Sequence, residues 1–311
     1  MIAQRRIAIV TDDPGWHGAR LRDALSARHY GCHYTSLTTG HLQLDASPVP
    51  VRLAGFDTAL PSGVFVRGVP GGSLEQVTLC LGLLHGLKRL GIPVYNDAGA
   101  IERTVDKGMT SFILHTHGIP TPPTWVIADR SRALALIKQQ LAEGHAMVYK
   151  PLFGSQGLGL HLFRCLDDLA RWPDEPGVYY LQRFMDSGTR SHDYRIFVID
   201  GVAVAAMKRC GSTWLNNVHQ GAQCEPLTLA HIPELTRLAC AAVRVLDMDY
   251  AGVDIIQDKT GGFSVLEVNS IPAWKGLQGV TALSIADRLV ADFIERRLEK
   301  KSGVSRGVSH E

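Results

Sequence analysis

Two apolar runs late in the chain, Gly252-Val253-Asp254-Ile255-Ile256 and Val265-Leu266-Glu267-Val268-Asn269, flank the segment Asp258-Lys259-Thr260-Gly261-Gly262. Apolar stretches of strand length on either side of a glycine-rich turn predict a β-hairpin. Residues two apart on a strand share a face, so Glu267 and Asn269 project together and Asp254 can lie opposite them. Carboxylates and an amide set into otherwise apolar strands constrain the fold, because one face of the sheet must meet something polar. Three hard oxygen donors suit Mg²⁺ (or Mn²⁺), which takes a few carboxylate oxygens and completes its shell with water and substrate phosphates. The competing reading is a hairpin with polar residues on its solvent face.

A second feature lies upstream. Ala146-Met147-Val148-Tyr149-Lys150-Pro151-Leu152-Phe153 reads as a strand that delivers a lysine into Gly154-Ser155-Gln156-Gly157-Leu158-Gly159, followed by the apolar run Leu160 to Phe163. Closely spaced glycines permit positive φ and close backbone approach, so amides can point at phosphate oxygens. No Gly-Lys-Ser/Thr follows, which excludes a Walker A loop. A strand and not a helix comes next, which excludes a dinucleotide fingerprint. The pattern predicts a glycine-rich flap between antiparallel strands, with Lys150 as a fixed positive charge for a nucleotide.

With these segments in view, the chain resembles the ATP-grasp superfamily and, within it, the RimK-like carboxylate–amine ligases. The resemblance rests on Asp106 to Thr110 with Gly118 to Thr124, Lys150 to Gly159, Tyr180 to Gln182, Asp193 to Val198 and Gly252 to Gly276, in the family's order. It implies an α/β fold: a Rossmann-like parallel preATP-grasp domain at residues 1–97, then two α+β lobes at 98–180 and 181–298 that grip ATP; residues 299–311, polar and rich in glycine and serine, read as a disordered tail. Lys107 and Lys150 correspond to lysines that reach the nucleotide phosphates, under a flap formed by Gly154, Ser155, Gln156, Gly157 and Gly159. Gln182, Arg183 and Phe184 fall where family members meet the adenine edge, Asp193 at a carboxylate that contacts the nucleotide, and Asn217 at an asparagine near the phosphates. Asp254, Glu267 and Asn269 correspond to the ligands of a two-ion magnesium clamp, with Glu267 bridging. Arg195 and Arg209 are expected to act in catalysis by binding phosphate or the acyl carboxylate, since the guanidinium fork suits both. Two positions depart from the family pattern: Arg183 stands where glutamate is usual, and Leu215 where arginine is frequent.

Composition fits such an enzyme. A chain of 311 residues can bury a large core. Lysine plus arginine number 32 against 30 aspartate plus glutamate, so bulk charge points to neither nucleic acid nor membrane as partner. No apolar run reaches spanning length and no signal-peptide pattern opens the chain. Six cysteines without CxxC spacing read as reduced thiols, and the expected location is the cytoplasm. His115 and His117, two apart on a predicted helix, face different ways and lack further ligands for zinc. Asp12 and Asp13 read as a turn before a helix over Gly18 to His29.

The family commonly joins the α-amino group of L-glutamate to an acceptor carboxylate through an acyl phosphate. The stretch Asn269 to Gln278 is most similar to members that glutamylate tetrahydromethanopterin-type coenzymes. Trp16 and Trp274 are candidates to flank a flat acceptor, because a rigid aromatic face suits a stacked heterocycle. Other readings are a ligase for a protein C-terminus or an amino-acid biosynthetic intermediate, a D-alanine–D-alanine-like ligase with the tryptophans packed away, and a non-catalytic nucleotide-binding regulator. The sequence leaves homo-oligomerisation open.

Overall fold

The structure is a computed structural model that describes residues 5–45, 48–154, 158–173, 177–188, 191–211, 213–214 and 221–299. In chain order its strands are β1 (Arg6–Val10), β2 (Gly31–Thr35), β3 (His41–Leu42), β4 (Val51–Arg52), β5 (Gly63–Val66), β6 (Val94–Tyr95), β7 (Thr124–Ile127), β8 (Met147–Pro151), β9 (His161–Phe163), β10 (Tyr179–Arg183), β11 (His192–Ile199), β12 (Val202–Cys210), β13 (Gln223–Leu227), β14 (Tyr250–Gln257) and β15 (Phe263–Asn269). The α-helices are α1 (Gly15–Ser26), α2 (Leu74–Arg89), α3 (Ala98–Val105), α4 (Lys107–Thr116), α5 (Arg130–Ala142), α6 (Pro233–Val245), α7 (Lys275–Gln278) and α8 (Ile285–Asp292). Two compact units divide them. One is built from the chain up to Glu102 together with the segment from Ile271 onward, the other from Arg103–Ser270.

The first unit is a parallel sheet in the order β2-β1-β5-β6. Strand β5 is buried along its whole length, as expected of a parallel strand covered on both faces. Helix α2 starts sharply because Ser73 and Gln76 form a reciprocal capping box. Its buried side chains Cys80, Leu83, Leu84 and Leu87 pack with Ala8, Val10, Val64 and Val66. On the sheet's Phe65 and Tyr95 side sits Phe293, in the π-helical turns Phe293–Glu299 that continue α8. Gly63 permits this approach, since a Cβ there would come within 2.7 Å of Leu298 and 2.8 Å of Phe293. Tyr95 Oη donates to Asp292 at 2.6 Å and Arg28 pairs with Asp287. The final helix, which the sequence pattern groups with the C-terminal lobe, therefore closes the core of the first unit.

Helix α1 begins at Gly15, with Pro14 in the N-cap position, where the sequence predicts a start at Gly18. A proline tolerates that place because the N–H it lacks is one the first turn cannot pair. Trp16 and His17 are consequently helical. His17 Nε2 accepts the Trp274 backbone N–H at 3.1 Å, and the two rings meet edge to face at 4.6 Å. The Arg67 guanidinium lies 4.4 Å over the indole of Trp274 and donates to the Pro272 carbonyl at 3.1 Å. An accepting Nε2 requires a neutral imidazole with its proton on Nδ1. Burial, then the charges of Arg67 and Lys275, lower the His17 pKa to about 4.

The second unit holds two antiparallel sheets, β7-β10-β8-β9 and β13-β12-β11-β14-β15. Helix α5, capped by Asp129 through the Arg132 N–H, buries Ala133 and Ile137 against Met147, Phe163, Trp172, Tyr179 and Leu181 of the first sheet. Helix α6 packs its buried stripe of Leu235, Leu238, Ala239, Ala242 and Val243 on β11, β14 and β15. With one face of each sheet occupied by a helix, chemistry belongs to the other. Among the described residues no helix is long and apolar enough to cross a membrane.

The His17 arrangement sets an acid limit. Between about pH 6.5 and 4 the unfolded chain binds a proton at His17 that the folded chain refuses, so stability falls as pH drops through that window and the contribution levels off below 4. Urea titrations across the window should show a shallower acid loss in His17→Gln, which keeps an acceptor for the Trp274 N–H and cannot titrate. Parallel pH profiles for the two proteins would refute the account.

Candidate active site

Strand register brings the charged residues of the larger sheet to one face. Asp193 of β11 pairs with Arg209 of β12, Arg195 of β11 with Asp254 of β14, and Asp254 with Glu267 of β15. Directly opposed residues share a side, and so do residues two apart along a strand. Asn269 therefore joins Glu267, as the hairpin pattern predicts. Arg195 grips Asp254 through Nε and Nη2, both at 2.7 Å. Arg209 grips Asp193 at 2.6 and 2.8 Å and reaches Asp254 at 3.0 Å. Burial works to raise the Asp254 carboxyl, but the two guanidiniums outweigh it and hold it below the usual carboxylate range. For Asp193 burial wins over Arg209, and the carboxyl sits above that range.

This network reassigns two residues. Asp193 is predicted to contact nucleotide, yet it is 6% exposed with both oxygens engaged by Arg209. It holds the arginine. Arg209 is itself buried between two carboxylates. Arg195 is less deeply buried, with Nε and Nη2 used and Nη1 without a partner among the described residues. Of the two arginines expected in catalysis, Arg195 is the more accessible.

The smaller sheet supplies the lysines. Asp106 caps α4 by accepting the Gly108 and Met109 N–H groups, which makes Lys107 the first helical residue. Its ammonium donates to the carbonyls of Gly154 at 2.8 Å and Leu152 at 3.3 Å, at the root of the glycine-rich segment. Gly159 closes that segment at φ +70°, where a Cβ would also fall 2.9 Å from Pro151. Ser155, Gln156 and Gly157 lie outside the described residues, as do Asn217 and Leu215. Lys150, near the end of β8, donates to Gln182 Oε1 at 2.7 Å. Burial lowers its pKa to about 8, with Glu267 pulling the other way; Lys107 is lowered for the same reason, again opposed by Glu267. Both lysines thus sense Glu267, and the two sheets contribute to one charged site.

Gln182 and Arg183 point to opposite faces of β10. Arg183 Nε donates to Gln140 of α5 at 2.7 Å and its guanidinium is 3.7 Å from Glu143. Its side chain is turned away from Lys150, so no nucleotide contact is expected of it. The backbone N–H groups of Arg183 and Phe184 donate to the Pro123 and Ala146 carbonyls, which leaves other groups of this segment for an adenine edge. The Phe184 ring, edge-on to Trp214, lines a cavity of about 600 Å³ with Ala146, Arg164, Asp186 and Lys259.

The residues present fit magnesium. Among the described residues Glu267 has no hydrogen-bond or ion-pair partner, and Asn269 Nδ2 is buried without one. Asp254 Oδ1 accepts a single bond, so it retains a lone pair for a cation. No cluster of three or more histidine, cysteine, aspartate or glutamate side chains placed for a metal occurs among the described residues; the set here is two carboxylates and an amide. The tryptophans fare differently. Trp274 is 0% exposed, packed by Arg67 and His17, and offers no flat wall to an acceptor. Trp16 is half-buried, edge-on to His17 and beneath Arg20.

Paired antiparallel sheets that bring two lysines, a glycine-rich turn and an Asp/Glu/Asn hairpin to one face define an ATP-grasp ligase. Residues 104–293 match the model of the RimK-like ATP-grasp domain, more than half of the chain, and the chain belongs to that family. It is 36% identical over 213 residues to the tetrahydromethanopterin:alpha-L-glutamate ligase of Methanocaldococcus jannaschii, covering 66% of this chain and 71% of the relative. With the alpha-aminoadipate–LysW ligase LysX of Saccharolobus solfataricus it shares 31% over 218 residues, 67% of this chain and 77% of that protein. Among solved structures, the ATP-grasp ligase PsnB complexed with a minimal precursor superimposes with a TM-score of 0.72 at 18% identity, over 94% of this chain and 99% of that one. The protein is an ATP-dependent carboxylate–amine ligase of the ADP-forming type.

Truncating one member of a buried ion network leaves its partners charged and unpaired, which costs about 3–5 kcal/mol. Arg209→Met should lose stability on that scale in urea unfolding, with Asp193 stranded and Asp254 left to Arg195 alone. A loss below about 1 kcal/mol, the size of an exposed pair, would show the network to be solvated.

Proposed function

We propose that the enzyme phosphorylates an acceptor carboxylate with ATP and that the α-amino group of L-glutamate then displaces phosphate from the acyl phosphate, leaving ADP, phosphate and an amide. The observation that carries this reading is the position of Glu267: opposite Asp254, in the field of Lys107 and Lys150, and without a protein partner among the described residues.

ATP and a carboxylate repel one another, so the reaction needs positive charge held at the phosphates before the two approach. Lys150 supplies a fixed charge from β8, and Lys107 a second from the first turn of α4. Asp254, Glu267 and Asn269 are proposed to hold two magnesium ions, which when bound supply charge neutralisation at the phosphates. Arg195, through its remaining Nη1, is proposed to receive the acyl carboxylate or the transferring phosphoryl oxygens. The partial burial of both lysines strengthens their action, since charges separated from water interact more strongly.

For the acceptor, the likeness to a tetrahydromethanopterin:alpha-L-glutamate ligase supports a pterin-type coenzyme carboxylate. The buried Trp274 lends that choice nothing, so specificity for the flat ring must come from elsewhere. The likeness to LysX, named as an alpha-aminoadipate–LysW ligase, supports a second reading, in which the acceptor is something other than a pterin coenzyme. Initial rates of ADP release with L-glutamate and either a pterin carboxylate or a glutamate-terminated peptide separate the two. A faster peptide would overturn the coenzyme reading.

Glu267→Ala should lower turnover by at least about a hundredfold, the scale on which one preorganised electrostatic group acts. Its thermal midpoint should stay near that of the parent, since no protein partner is abandoned. ADP formation at near-normal rate in the variant would sink the assignment.

A further inference from the structure

Lys150 is held by more than its strand. Its ammonium donates to Gln182 Oε1 at 2.7 Å, while Gln182 Nε2 donates to Tyr180 Oη and Thr124 Oγ1, each at 3.0 Å. Tyr180 Oη is in turn 2.8 Å from Ser111 Oγ, and the Thr124 hydroxyl spends its own proton on the Pro122 carbonyl at 2.7 Å. Gln182 and Tyr180 are each 1% exposed. An ammonium only donates, so the amide oxygen must face Lys150. The two amide hydrogens then meet two oxygens able to accept them. Every side of the amide is therefore dictated by its neighbours. A buried amide costs free energy unless its groups are matched, and an isosteric apolar residue would pack here without that requirement. A carboxylate in its place could accept from Lys150 but could not supply the two donors.

Lysine is a flexible four-carbon chain, and a catalytic charge helps only when its position is fixed before the reaction. We propose that the Gln182 side chain, oriented by Tyr180, Thr124 and Ser111, is a positioning residue that fixes the Lys150 ammonium for the nucleotide phosphates. This rests on the reading of Lys150 as a phosphate-binding lysine, and it gives Gln182 a role distinct from any backbone contact to adenine. Lys150 also lies 5.8 Å over the Tyr180 ring, so the same tyrosine supports the lysine from two directions.

A double-mutant cycle on the full chain tests the coupling, read as the dissociation constant for the magnesium complex of AMPPNP. Gln182→Met should weaken binding about tenfold, the scale of a lost hydrogen bond to a charged group. Tyr180→Phe, a milder change that leaves Lys150 and Gln182 in place, should weaken it by a few-fold. In a Lys150→Met background both effects should shrink to within about twofold, because a residue that acts through the lysine has nothing left to position. Equal losses with and without Lys150 would mean that Gln182 merely supports the fold, and no loss in either background would mean that it is idle. If Lys150→Met alone binds AMPPNP as the parent does, the nucleotide-site reading fails first and the inference falls with it. Tyr180→Phe keeps the test decisive should Gln182→Met fail to fold.

Discussion

Arg209 between Asp193 and Asp254 is the interaction on which the site's electrostatics depend. Two guanidiniums and two carboxylates sit on one face of the larger sheet, nearly all out of water, and their charges cancel. The cancellation has two consequences. It allows ionised groups to be buried in the middle of a β-sheet, since an uncompensated charge there would be prohibitive. It also leaves Glu267 as the uncompensated carboxylate of that face, in view of Lys107 and Lys150 on the facing lobe. A polyanion entering this space meets an excess of positive charge on one side and hard oxygen donors on the other. Polyphosphate with its cation is the kind of ligand that satisfies both.

What the sequence made legible follows from period and punctuation. The hairpin was readable because a period of two puts Glu267 and Asn269 on one face beside the Asp258 to Gly262 turn, but Asp254 comes opposite Glu267 only through a β-bulge between Asp254 and Ile255 that no turn signal announces. Ser73, Asp106 and Asp129 cap α2, α4 and α5 in the structure, local signals that the reading of the sequence did not use. The ion network was not readable, because it depends on which strands lie side by side. Arg195 and Asp254 are 59 residues apart in sequence, and no local pattern announces their pairing. The same gap hid the roles of Asp193 and Arg209: charged residues on strands suggest ligand contacts until their cross-strand partners are known.

Trp274 shows a different limit. An indole after a metal-type motif suggests a binding wall, but a motif carries no information about burial. The neighbours that bury Trp274, His17 and Arg67, come from the far N-terminal part of the chain. Arg183 is a case in which periodicity could have helped. Adjacent residues on β10 face opposite ways, so Gln182 and Arg183 cannot both address a nucleotide with their side chains. The choice between them needed the position of α5, whose Gln140 and C-cap residue Glu143 receive the guanidinium. A family glutamate replaced by arginine is tolerable here for that reason: the side chain at this position belongs to the helix face.

The two lysines are held by different means, and the difference bears on how each can be changed. Lys107 donates to main-chain carbonyls at the root of the glycine-rich segment, so its partners persist whatever side chains stand at those positions. What it requires is backbone geometry, supplied by Asp106 at the cap and by the chain reversal that Gly159 permits. Lys150 is held by a side-chain amide inside a chain of hydroxyls, so its placement is written in residue identity at Gln182, Tyr180, Thr124 and Ser111. Substitution among those residues perturbs Lys150 while the strands stay in register. Perturbing Lys107 takes a change in the loop backbone, which the surrounding strands resist. Of the two charges expected at the phosphates, Lys150 is therefore the one whose position substitutions can tune, and Lys107 the one the fold itself maintains.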